Sequence, residues 1–207
     1  MSVINELATT LGRRDEVPNR ELAKKIAAKK DKKAVAELTD NLANKNKDIQ
    51  SDCIKVLYEI GVIDASLIAP HHETFARILN SKNNRLVWGA MTALDAIASV
   101  APKEIYANLS TIMEASDKGS VIAKDHAIGI LIKLAAHKPY ADDATTLQLD
   151  QLKQSAPNQL PMYAENAFAV MSDKYLSQFK EILTSRLDDM EKESKRKRVE
   201  KVLKKIK

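Results

Sequence analysis

Three stretches decide how this chain folds: IQSDCIKVLYEIG at residues 49–61, LVWGAMTALDAIA at 86–98 and AKDHAIGILIKLA at 123–135. They superimpose with a constant shift of 37 residues, from 49 to 86 to 123. Leu57, Leu94 and Leu131 then coincide. So do Ile60, Ile97 and Leu134, and the small residues Cys53, Ala90 and Ala127. Apolar residues recur three and four apart, the period of a helix with one buried face. A fourth copy is fainter, with Ala164, Phe168 and Met171 in register. The preceding helices echo the shift through Leu38, Phe75 and Ile112, and through Ile68 and Ile105. Each helix pair buries one stripe against its own partner and leaves flanks that only neighbouring pairs cover. The pattern predicts an all-α superhelix of stacked antiparallel helix pairs, with small residues allowing close approach.

Working outward, turn and cap signals arrive every ~15–20 residues. Pro18 opens a helix over 18–29, and Asp31 caps 32–44. Asn46 or Asp48 precedes 48–62, and Asp64 precedes 65–80, with Pro70 kinking or restarting that helix. Further helices are predicted over 85–100, 103–115, 120–137, 140–155, 159–172 and 173 to about 190, with a basic helix over 191–207. The expected organisation is one domain over 1–207: cap helices in 1–30, repeats in 31–172, and a cap helix with a basic tail in 173–207.

This pattern resembles the HEAT-repeat family of armadillo-like solenoids. In the family's second helix an apolar residue is followed by a small residue, Leu, Ile and another small residue. Here that reads Leu86, Ala90, Leu94, Ile97 and Ala98, and the resemblance spans roughly 31–172. It departs where the family often carries Arg, because Gln50, Val87 and Lys124 stand there. That departure argues against the family's usual polar ladder between repeats.

Composition excludes several classes. The chain has 207 residues with 5 Gly and 6 Pro, too few for a collagen-like or low-complexity chain. A single cysteine, Cys53, cannot form an internal disulfide and falls on the buried stripe, as a core thiol would. No apolar run approaches the ~18 residues of a membrane span, and the N-terminal stretch lacks a signal peptide's apolar region. A cytoplasmic location is expected. No glycine-rich phosphate loop appears, and His71 and His72 are adjacent rather than at metal-ligand spacing. His126 and His137 lack a second ligand in sequence. Neither a cofactor, a metal nor catalytic residues are expected.

Charge is uneven. The net +5 divides into +3 over 1–48, −5 over 49–191 and +7 over 192–207. In the second helices, positions 48, 51, 55, 58 and 62 and their equivalents lie opposite the buried stripe. In solenoids these helices usually line the concave surface. Tyr58, Arg85, Trp88, Asp95 and Asp125 are therefore the candidate interaction face. Either Trp88 packs between neighbouring helices, or the patch grips a protein or peptide, as Trp, Tyr and Arg do at interfaces. The expectation is a non-enzymatic scaffold for protein recognition. Two alternatives stand beside it. Some HEAT-like proteins are alkylpurine DNA glycosylases, which set concave aromatics and an Asp against a cationic base; Trp88 with Asp95 or Asp125 would supply that. The second is nucleic-acid binding through the basic ends: residues 20–33, with 7 bases and 2 acids, and a basic tail of Lys195, Arg196, Lys197, Arg198, Lys201, Lys204 and Lys205. Against it, Val199, Leu203 and Ile206 form the stripe of a docked cap helix. Residues 194–198, SKRKR, also resemble a nuclear-import signal, meaningful only in a eukaryote.

Overall fold

A computed structural model describes residues 2–206, and every regular element among them is helical. The α-helices are α1 (Val17–Lys29), α2 (Lys32–Asp40), α3 (Lys47–Ile63), α4 (His72–Ile78), α5 (Asn84–Ile97) and α6 (Pro102–Ala107). They continue as α7 (Leu109–Lys118), α8 (Val121–Ala135), α9 (Ala141–Gln154), α10 (Leu160–Phe168), α11 (Asp173–Ser185) and α12 (Glu193–Leu203). Contacts gather into two compact units, one reaching Ala127 and the other beginning at Ile128.

In the first unit α3 is the hub, packing on α1, α2 and α5, while α4 packs on α5. The register read from sequence coincides with the buried positions. Cys53, Leu57, Ile60, Ala90, Leu94 and Ile97 are fully buried, as are Leu38, Phe75, Ile112, Ile68 and Ile105. Close approach is most visible at Gly89 of α5. A Cβ there would lie 2.3 Å from Ile54 Cγ1 of α3, so any side chain would push the two helices apart.

The turns repeat as well as the helices. Asn46 caps α3 by accepting from the Asp48 N–H at 2.9 Å, and Asn83 caps α5 by accepting from the Arg85 N–H at 3.1 Å. Two residues earlier, Asn44 Oδ1 accepts from the Asn46 N–H and Ser81 Oγ from the Asn83 N–H. Each pair is one repeat apart. Gln50 corrects the expectation that no polar ladder joins the repeats. Its Nε2 donates to the Asn44 carbonyl at 2.7 Å, and its Oε1 accepts from Asn83 Nδ2 at 3.3 Å. A carboxamide both donates and accepts, so one Gln links the turns before α3 and α5 without a guanidinium.

Several helices are shorter than their apolar pattern. The 65–80 segment becomes 3₁₀ turns at Ala65–Leu67 and Ala69–His71, followed by α4, so Pro70 restarts the helix. The 103–115 segment breaks at Asn108, whose Nδ2 donates back to the Glu104 carbonyl at 2.8 Å and competes with the backbone. The last predicted turn before 190 is a separate 3₁₀ turn at Leu187–Asp189. An unpredicted 3₁₀ turn at Val3–Glu6 leads into Leu7 and Ala8, both buried.

The second unit has its own core. Leu149, Leu152, Leu160, Ala164, Phe179 and Leu183 are its buried centre, and Phe168 and Met171 pack against it partly buried. Phe168 stacks on Phe179 with ring centroids 6.4 Å apart. Helix α12 packs on α10 and α11. Its buried stripe is Val199, Val202 and Ile206, and Leu203 is only partly covered. The predicted stripe was therefore one residue out at its middle position. No described helix is long and apolar enough to cross a membrane.

Candidate functional site

The first unit carries a groove of about 840 Å³ between the segment preceding α1 and one face of α3 and α5. Helical spacing sets its floor: Asp48, Ser51, Asp52, Lys55 and Tyr58 from α3, and Arg85, Trp88, Gly89 and Thr92 from α5. Ile122 at the start of α8 also lines it. Three candidate residues, Tyr58, Arg85 and Trp88, are thus brought together. Trp88 is 36% exposed, so it does not disappear between helices, and Ile122 beside it is 45% exposed.

A polar network holds the wall formed by residues 8–16. Asp52 accepts from the Thr9 N–H and from Asn19 Nδ2, both at 2.7 Å. Asn19, buried in α1, in turn accepts from the Ala8 N–H at 2.9 Å. The chain then turns at Gly12, whose φ of 67° is left-handed and suits glycine. It continues through Arg13, which pairs with Asp15 at 2.8 Å and holds that carboxyl below the usual carboxylate range.

Lys55 closes the middle of the groove. Its ammonium sits 3.0 Å from Glu16, 2.7 Å from Glu59 and 4.7 Å from the centre of the Tyr58 ring. Burial opposes its charge, but bonds with Glu59, Tyr58 and Glu16 outweigh burial and keep the ammonium above the ordinary lysine range. Two lining cations remain. Neither Arg14 nor Arg85 has a side-chain hydrogen bond or ion pair among the described residues, and both are exposed.

Asp95 and Asp125 are not part of this lining. Asp95 Oδ2 lies 2.9 Å from His126 Nδ1, and His126 Nε2 lies 2.9 Å from Thr92 Oγ1. Thr92 donates to the Trp88 carbonyl at 2.9 Å. A carboxylate–imidazole–hydroxyl–carbonyl chain therefore ties α8 to the turn of α5 that presents Trp88. Asp125 is partly buried on α8. Cys53 is fully buried, and burial, then Asp52 and Glu37, push its thiol up to about 12. No cluster of three metal-ligating side chains occurs among the described residues.

The basic tail is a packed helix in the second unit, and much of its charge is engaged there. Arg198 pairs with Glu165, Arg196 with Asp188 and Glu200, and Lys197 with Glu193 at 3.4 Å. Lys195 Nζ donates to the Asn158 carbonyl and side chain at 2.8 Å. Lys201, Lys204 and Lys205 make no such bonds among the described residues.

The wall at 8–16, the Lys55 cluster and the His126 chain had no place in the predicted site. Lys55 and Glu59 four apart were a visible signal. The Asn19–Asp52 and His126–Asp95 pairings join residues 33 and 31 apart, and no local pattern announces them.

No protein-family model and no curated protein matches the sequence. Solved structures do match. A computationally designed armadillo repeat protein for modular peptide recognition aligns with a TM-score of 0.68 at 14% identity, covering 99% of this chain and 98% of that one. A designed armadillo repeat protein in complex with the peptide (KR)4 aligns with 0.66 at 16% identity, covering 91% and 87%. An engineered protein from a structural genomics effort aligns with 0.65 at 18% identity, covering 100% and 97%. The repeat register, the repeating turns and these likenesses converge on one fold: the chain is an all-α, armadillo-like helical-repeat solenoid.

Proposed function

We propose that this chain is a non-enzymatic scaffold that recognises a protein partner, as a peptide segment, through the groove of its first unit. The carrying observation is Trp88, the chain's sole tryptophan and 36% exposed, which lines a groove of about 840 Å³ together with Ile122 and with Arg85, a residue without a side-chain partner among the described residues. Aromatic and guanidinium groups in a partly desolvated groove are the usual anchors of protein interfaces. The start of the wall is tied down by the bonds of Ala8 and Thr9 to Asn19 and Asp52, which lowers the ordering entropy that opposes binding. Peptide recognition by a designed neighbour of the same fold is consistent with this reading.

The non-enzymatic part rests on the His126 chain. Hydroxyl, imidazole and carboxylate also line up in nucleophilic triads. Here the hydroxyl donates to the Trp88 carbonyl, and Thr92 sits mid-helix, where backbone N–H groups are engaged in the helix. The glycosylase alternative loses its aspartate in the same way, because Asp95 bonds His126 and lies outside the groove lining. The tail alternative has lost its arginines to internal pairs.

The test is a peptide-binding titration on the full chain, read by the anisotropy of a dye-labelled peptide, with Trp88 emission as a second readout on the unchanged protein. Binding peptides should shift the emission and lose affinity at least tenfold on Trp88→Ala, as removing a hot-spot aromatic does. Binding unaffected by Trp88→Ala would sink the reading. For nucleic acid, deleting 192–207 would strip Val199, Val202 and Ile206 from the second core. Replacing Lys201, Lys204 and Lys205 by Gln is the cleaner variant.

A further inference from the structure

We infer that the segment taken by the groove is acidic and carries one large apolar side chain. The inference rests on the reading of the groove as a protein-recognition surface. It follows from which lining charges are already engaged. Asp15 is held by Arg13, Glu16 by Lys55, and Asp52 by the Thr9 amide and Asn19. Those carboxylates already have internal cations or donors, so they attract a cationic ligand less than free ones would. Asp48 is the one lining carboxylate without such a side-chain partner among the described residues, and it sits in the first turn of α3, where the amide dipoles favour an anion.

The cations are distributed the other way. Arg14 and Arg85 are exposed with no side-chain partner among the described residues. Arg85 is on α5, one turn before Trp88 on the same face. A ligand carboxylate can take the Arg85 guanidinium in a two-pronged bond, which a peptide without acidic side chains can supply only through its C-terminus. Its neighbouring apolar side chain then covers the exposed parts of Trp88 and Ile122. A second carboxylate meets Arg14 on the opposite wall.

The experiment selects a random short-peptide library on the full chain and titrates the dye-labelled winners by anisotropy, on the protein and on Trp88→Ala. The peptide (KR)4 and a single-stranded oligonucleotide serve as comparators. The expected winners are net negative with at least one Leu, Ile, Met, Phe or Trp. Arg85→Glu and Arg14→Glu should each weaken them roughly tenfold, as removing one partner of an interfacial charge pair does. Arg20→Glu, on α1 and outside the groove lining, should leave binding unchanged. Basic or neutral winners that still need Trp88 would overturn the acidic assignment while the protein-recognition reading stands. Winners indifferent to Trp88, or none at all, would remove both. Displacement by the oligonucleotide at lower concentration than (KR)4 or the winners would assign the groove to nucleic acid and overturn the inference.

Discussion

Two groove arginines of the first unit and three arginines of the second have opposite fates. In the second unit Arg186 donates to the carbonyls of Leu152, Lys153 and Ser155, each at 2.8 Å, and also pairs with Asp189. It closes the C-terminal end of α9, whose last carbonyls have no partner within the helix. Arg196 and Arg198 are tied to carboxylates of their own unit. In the first unit Arg14 and Arg85 face a groove and bond nothing among the described residues. Positive charge in the sequence is thus a poor guide to binding. Arg186, Arg196 and Arg198 are engaged within the fold, whereas Arg14 and Arg85 have no side-chain partner among the described residues.

Arg186→Ala should break that contrast most severely. Three carbonyls lose their donor at once, one from the fully buried Leu152, and destabilisation of about 2–4 kcal/mol is expected in chemical denaturation. A loss under ~1 kcal/mol would mean that water replaces the guanidinium.

Asn83→Ala comes next. It removes the cap of α5 and the bond to Gln50, and about 1–2 kcal/mol should be lost, read as a lower denaturation midpoint. Gln50→Ala separates the two terms, because it removes the ladder and leaves the cap.

The Arg198–Glu165 pair has a smaller effect with a defined pH sign. The Arg198 hydrogen bond holds the Glu165 carboxyl below its ordinary value of 4.5. Its contribution is therefore fully present above that value and fades as pH falls through the lower folded value. Both side chains are more than a third exposed, so screening keeps the contribution under about 1 kcal/mol. Glu165→Gln should flatten the acid side of the stability profile by that amount, measured by denaturation from neutral pH downward.

At the bottom of the scale is Arg85→Ala, which should change stability by no more than ~0.5 kcal/mol. A larger loss would show that Arg85 is a structural residue like Arg186, and the contrast between the units would collapse.

Much of the fold was legible in the sequence, for a physical reason. A repeat array is held by contacts between neighbours, so the same burial requirement recurs at a fixed interval and leaves a periodic trace. Leu57, Leu94 and Leu131, or Cys53, Ala90 and Ala127, could be found without knowing what they touch. The outward face followed from helical geometry, and of its five residues Tyr58, Arg85 and Trp88 line one groove while Asp95 and Asp125 do not. Helix ends were less legible. At Pro70 and Asn108 one residue's own chemistry competes with a longer apolar pattern, and the pattern does not record which wins.

What the tertiary structure alone decided was which polar groups are engaged. Gln50 reads as a lost Arg, yet its carboxamide joins two turns. Asp95 reads as an exposed acid, yet His126 from another helix claims it. The tail reads as a basic patch, yet its stripe is buried and its arginines are paired. Apolar burial is periodic because it needs only a face, and a face is set by position along the helix. A hydrogen bond or ion pair needs a particular atom within about 3 Å, and that atom comes from wherever the fold brings it.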